Sequence, residues 1–252
     1  MKDVYTYKYF QDQENQSYIS ASYFIDILLN YFLINSAVDF GCGHGSWLRA
    51  IKDRGISHLT GIDGPWNNGL AIKDLNANFL QIDLTVDNLN IQKFDVAICV
   101  EVAEHINEIY SDKIVHHLTS SSDAVIFSAA FVNQGGTCHI NENYHSYWAH
   151  KFEKMGFIPF DIFRPLLWDI DSIGFWYRQN CFLYIKAGSE YDSTLRSKRI
   201  YPLNNFKFMD CIHPELYNLK CGEGVSFKKT VSNIIPSFMK ALKRKYFEKF
   251  NN

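Results

Sequence analysis

Residues 37–47 read Ala37-Val38-Asp39-Phe40-Gly41-Cys42-Gly43-His44-Gly45-Ser46-Trp47. A short apolar run enters a glycine-rich turn, and a helical pattern follows over residues 46–54. Residues 37–40 therefore read as a buried strand, and the glycines let the chain take positive φ and let a ligand approach the backbone. Dinucleotide sites use the same device, with the fingerprint G-x-G-x-x-G and a pyrophosphate at the helix start. Here Gly41, Gly43 and Gly45 give G-x-G-x-G, and Asp39 stands just ahead of them.

Working outward, short apolar runs at 58–63, 78–83, 94–100 and 123–129 read as further strands. Helical spacing marks 17–34, 46–54, 103–118 and 144–155, and 157–163 and 180–186 read as two closing strands. Strands that alternate with helices imply a parallel sheet covered on both faces. Asp63 ends the second strand, followed by Gly64, at roughly the spacing where dinucleotide folds carry their ribose acid. Asp83 ends the third, followed by Leu84, where a carboxylate can meet an adenine amino group. Asp39 would repel a pyrophosphate but suits the ammonium of a methionine moiety. The three acids thus favour S-adenosylmethionine over NAD, in a crevice at the switch point of the sheet. The alternative for the turn by itself is a tight strand-to-helix connection with no ligand.

The chain has 252 residues, 47% of them hydrophobic, enough for one domain with appendages and a sizeable core. A net charge of −2 argues against a general nucleic-acid binder. The amino terminus lacks an apolar signal core, and no run is long enough to span a bilayer. Cys42, Cys99, Cys138, Cys181, Cys211 and Cys221 form no C-x-x-C pair and read as reduced thiols of a cytoplasmic protein.

Residues 37–47, Gly61-Ile62-Asp63-Gly64, Gln81-Ile82-Asp83-Leu84 and Phe94-Asp95-Val96 resemble the successive motifs of class I S-adenosylmethionine-dependent methyltransferases. The resemblance covers roughly residues 17–186. It extends to small methyltransferases of bacterial capsular and surface-polysaccharide gene clusters through Ser20-Ala21-Ser22-Tyr23-Phe24, Glu101-Val102-Ala103-Glu104-His105, Phe127-Ser128-Ala129-Ala130 and residues 134–142. Tyr147-Trp148 and residues 176–180 extend it further. It implies a Rossmann-like, doubly wound α/β fold with a seven-stranded, mostly parallel sheet whose last strand is antiparallel. We read a methyltransferase domain over 1–188, with its amino-terminal helix, and an extension over 189–252 that, from its position after the closing strand, covers or edges the acceptor site. The cofactor set is Asp39, Gly41, Gly43, Gly45, Trp47, Asp63, Gly64, Asp83, Leu84 and Glu101.

The fourth strand runs into Glu101, Glu104 and His105, whose spacing lets all three project to one side of a helix start. One of them, or His139 on the loop 133–143, can act as a general base on an acceptor hydroxyl, with His139 the leading candidate. Alternatively Glu101, Glu104, His105 and His139 hold Mg or Mn, whose oxygen- and imidazole-rich donor set this matches. The Glu-x-x-Glu-His pattern resembles that of metal-dependent O-methyltransferases acting on RNA 3′ ends and on quinone precursors. The structural alternative is a capped helix start with acids at its positive end. Gln134, Asn141, Glu142, Tyr147 and Arg178 are candidates for holding the acceptor. His116, His117, His145, His150 and His213 read as surface or packing residues.

The function that results is O-methyl transfer to a hydroxyl of a nucleotide-linked or capsular sugar, or to its phosphate-derived substituent. The partner is then a small molecule or glycan precursor and not nucleic acid. The rivals are an RNA ribose 2′-O-methyltransferase, a non-catalytic adenosylmethionine binder and an NAD-dependent oxidoreductase. Residues 189–235 show no assignable period. The basic stretch 237–250 reads as an amphipathic helix that packs on the domain, with weak contact to an anionic membrane surface as its other use.

Overall fold

The computed structural model describes residues 7–85 and 89–221, with side chains from residue 14 onward. Its strands are β1 (Ser36–Phe40), β2 (His58–Asp63), β3 (Asn78–Gln81), β4 (Val96–Val100), β5 (Ala124–Ser128), β6 (Phe157–Phe160) and β7 (Phe182–Lys186). They form one seven-stranded sheet in the order β3-β2-β1-β4-β5-β7-β6. β7 runs antiparallel to both neighbours, whereas the other pairings are parallel. The fold class implied by the motifs is the one observed.

Alternation along the strands builds two cores, because successive side chains point to opposite faces. Ala37, Val96, Ile98, Ala124, Ile126, Leu183 and Ile185 face one core. There they meet Phe24 and Leu28 of α1 (Tyr7–Leu29), and Leu48 and Ile51 of α2 (Ser46–Lys52). α3 (Leu70–Asp74) adds Ile72 to this face. Val38, Ala97, Cys99, Val125, Phe127, Phe182 and Tyr184 face the other core. That face is covered by Ile114 and Leu118 of α4 (Ser111–Ser121) and by Trp148 and Phe152 of α5 (His145–Lys154). With both faces covered, the strands must be apolar throughout, which is why β1 and β5 are buried at every position.

Several boundaries differ from the periodicity reading. α1 starts earlier than residue 17 and ends at Leu29. The segment 103–118 is not one helix: short 3-10 turns at Ala103–His105 and Glu108–Tyr110 precede α4. Two short helices, α6 (Arg164–Leu167) and α7 (Phe175–Asn180), come before β7, which starts at Phe182. Residues 189–235 are not wholly irregular either. α8 (Glu190–Ser197) is capped by Ser189, whose side chain accepts from the Asp192 N–H, a local signal that needs no hydrophobic period.

The described residues 7–211 form one compact unit, so residues 189–211 belong with the sheet. Leu203 N–H donates to the Pro159 carbonyl, and Met209 is fully buried. The described residues 212–221 fall outside that unit and carry α9 (Pro214–Cys221). The amphipathic stretch 237–250 lies outside the described residues. No helix among the described residues is long and apolar enough to cross a membrane.

Candidate active site

The order of strands reverses between β1 and β4, and the crevice at such a point opens at their carboxyl ends. The turn after β1 enters it with Gly41 and Gly43 at positive φ. Gly41 cannot carry a side chain, because a Cβ there would stand 2.5 Å from a Val102 methyl. Val102 follows β4, so the absent side chain lets the two strand ends converge.

Two cavities meet at Gly41. The first, about 470 Å3, is lined by Gly41, Asp63, Gly64, Asp83, Leu84, Glu101, Val102 and His105, with Trp66 and Ile106 among its other walls. The second, about 320 Å3, is lined by Asp39, Gly41, Gly43 and Trp47 together with Glu14, Ser17 and Tyr177. The cofactor residues expected from sequence thus fall along one continuous crevice, except Gly45, which lines a neighbouring surface hollow. Burial, and then the nearby Asp63, push the Asp39 carboxyl up to about 8. A cation seated in the second cavity would hold it ionised.

At the inner end lies a second constellation. A carboxylate oxygen of Glu104 and one ring nitrogen each of His105 and His139 lie within 4.8 Å of one another. Glu104 is fully buried, and neither of its side-chain oxygens has a hydrogen-bond partner. Burial and the neighbouring Glu101 raise its pKa well above the usual carboxylate range. Burial, and then His139, lower that of His105. His139 Nδ1 lies 2.9 Å from Glu142 Oε1. In the neutral ring, a proton on Nδ1 donated to that carboxylate leaves Nε2 as the acceptor. Carboxylate oxygens without a donor are costly to bury, and a divalent cation held by Glu104, His105 and His139 would satisfy those of Glu104.

Glu101 neighbours Glu104 but is not one of that trio. Its φ is +55°, a conformation rare outside glycine. Its Oε1 accepts from Ser128 Oγ at 2.8 Å and from Asn180 Nδ2 at 3.1 Å. The structure therefore gathers three of the four expected metal ligands and gives the fourth to a hydrogen-bond network.

The loop candidates separate by role. Glu142 holds His139 and also accepts from Gly135 N–H. Asn141 is a buried strut that donates to the Ala103 carbonyl and to Ser111 Oγ. Gln134 Oε1 accepts from Phe131 N–H and Asn180 Nδ2. Tyr147 packs under the Lys151 ammonium and against Trp148, and lines neither cavity. Arg178 is 2% exposed and donates to the Trp168 carbonyl, facing the protein interior. Trp66 and Asn67 were not singled out from the sequence, and Ser128 and Asn180 fell in segments quoted for the resemblance without a role of their own. Only the position of Trp66 and Asn67 just after Asp63 could have drawn attention to them.

A family model described as a methyltransferase domain matches residues 18–162. The chain belongs to that methyltransferase family. The match spans β1 to β6 and takes in the first cavity, the glycine turn of the second and the Glu104, His105 and His139 trio. A search of curated proteins found no match. Among solved structures, the methyltransferase is similar to magnesium protoporphyrin IX methyltransferase from Synechocystis PCC 6803 with bound SAH. That pair shares 18% identity over 69% of this chain and 84% of that one, with a TM-score of 0.51. PKMT2 from Rickettsia typhi is 13% identical, covering 77% of this chain and 55% of that one, with a TM-score of 0.51. A Haloferax volcanii methyltransferase complexed with Trm112 is 14% identical over 70% and 94% of the chains, with a TM-score of 0.50. These likenesses are likenesses of fold.

Proposed function

We propose that this methyltransferase moves the methyl group of S-adenosylmethionine to an oxygen of a small acceptor in the cytoplasm. The acceptor we assign is a hydroxyl of a nucleotide-linked or capsular-precursor sugar, or an oxygen of its phosphate-derived substituent. The single observation that carries the reading is the convergence of Glu104, whose buried oxygens have no donor, with His105 and His139, beside a crevice lined by Asp39, Asp63 and Asp83.

In this reading Asp63 takes the ribose, Asp83 the adenine end and Asp39 the methionine ammonium. The acceptor oxygen attacks the methyl carbon in line with sulfur. The new O–CH3 bond forms as the C–S bond breaks, and sulfur keeps the electron pair. Alignment supplies much of the rate. His139, held through Nδ1 by Glu142, takes the hydroxyl proton on Nε2. In the alternative, Mg or Mn held by Glu104, His105 and His139 Nε2 would lower the pKa of the acceptor hydroxyl in place of that base. Ser128 and Asn180 fix the direction of the Glu101 carboxylate at the cavity wall.

The test combines calorimetry with S-adenosylhomocysteine and turnover on a panel of nucleotide-linked sugars, read as S-adenosylhomocysteine released. His139→Ala should lower turnover by about 10²- to 10⁴-fold while leaving S-adenosylhomocysteine affinity nearly unchanged. EDTA should slow the wild type, and added Mg or Mn should restore it. Full turnover in excess EDTA would remove the ion, and absence of S-adenosylhomocysteine binding would remove the cofactor.

A further inference from the structure

The Asp63 carboxylate is already saturated. A carboxylate offers about four acceptor positions, two on each oxygen. Oδ1 accepts from Gly64 N–H at 2.7 Å and from Trp66 Nε1 at 3.0 Å. Oδ2 accepts from Gly43 N–H and from Asn67 Nδ2, both at 2.9 Å. Each oxygen therefore holds one fixed backbone donor and one side-chain donor from the loop after β2. A ribose diol binding this carboxylate brings two hydroxyl donors, one for each oxygen.

We propose that Trp66 and Asn67 stand in for the ribose hydroxyls, so that cofactor binding proceeds by exchange and Trp66 sets cofactor affinity by competing for Asp63. The inference rests on the cofactor reading above. Two further features support it. Trp66 is 78% exposed, so little packing holds it in place beyond the indole N–H bond. Its ring also lies across Gly64, where a Cβ would approach to 2.2 Å, so the bare glycine makes room for the folded-in indole. Trp66 meanwhile lines the first cavity beside Asp83 and Leu84, in the space the nucleoside needs. Asn67 has a second tie, to the Gly43 carbonyl at 2.7 Å, so Trp66 is the donor that leaves at lower cost.

The experiment is titration of the full chain with S-adenosylhomocysteine, by calorimetry and by tryptophan emission, in the wild type and in Trp66→Phe. The phenylalanine keeps a ring over Gly64 and removes the competing donor. The chain has five tryptophans, so the difference between the two emission titrations isolates Trp66. The expected result is an emission change that Trp66→Phe abolishes, and binding tighter by on the order of fivefold in the variant, the equivalent of one modest hydrogen bond. Binding by the wild type with no Trp66-dependent emission change, or with equal or weaker affinity in Trp66→Phe, would overturn the exchange. Failure of both proteins to bind would overturn the cofactor reading beneath it.

Discussion

Asp39 shows how one buried carboxyl links the site to pH. Its folded pKa of about 8 lies far above the ordinary value near 3.8. Between those values the unfolded chain releases the proton and the folded chain keeps it, so stability without cofactor falls as pH rises through that window. A bound ammonium favours the ionised form, so binding below pH 8 should release a proton. S-adenosylhomocysteine should therefore bind more tightly as pH rises from 6 to 7.5, and Asp39→Asn should flatten that dependence in calorimetry. An unchanged slope in the variant would place the ammonium elsewhere. Asp39 was legible as a candidate from its place before the glycines. Its burial, which creates the shift, was not.

At the scale of elements, the link between β4 and α4 and the loop after β5 work as one assembly. A continuous helix over 103–118 would suit the sequence spacing, but tertiary bonds override it. Ile140 and Asn141 N–H both donate to the Glu104 carbonyl, taking an acceptor that a longer helix would use. Glu101 turns the chain through positive φ, ending the strand before any helix begins. Asn141 ties this loop back to Ala103 and Ser111. Asn141→Ala should thus destabilise the fold by about 1–3 kcal/mol, because the Ala103 carbonyl and Ser111 lose a buried partner. Chemical denaturation measures this. The same variant should weaken Mn binding by loosening His139, which paramagnetic titration reports.

At the scale of the whole molecule, the compact unit closes late in the chain. Arg164 is 7% exposed and spans distant parts of the sequence. It binds Asp161 through Nε and Nη2, donates to the Met209 and Phe208 carbonyls, and lies 4.3 Å from the Phe182 ring centroid. His145 Nδ1 faces the same Met209 carbonyl, and Ser146 binds Asp210. Residues 206–210 are thus fixed onto α5 and α6 by buried polar bonds, which hydrophobic periodicity cannot reveal. Arg164→Ala should cost about 3–5 kcal/mol, the range for breaking one side of a buried ion pair. Denaturant midpoints would show it, with a much smaller loss when Asp161→Asn accompanies it.

The sequence by itself determined the layered α/β architecture, the glycine turn and the acids at or just past three strand ends, because these follow from local period and from residues a few positions apart; that β3 stops at Gln81, short of Asp83, it did not. Only the tertiary structure decided which polar groups meet. It put His139 beside Glu104 and His105, turned Glu101 toward Ser128 and Asn180, buried Arg178 and folded Trp66 onto Asp63. Those pairings join residues on different strands and loops, and side-chain contact across a sheet edge leaves no periodic mark in a single chain.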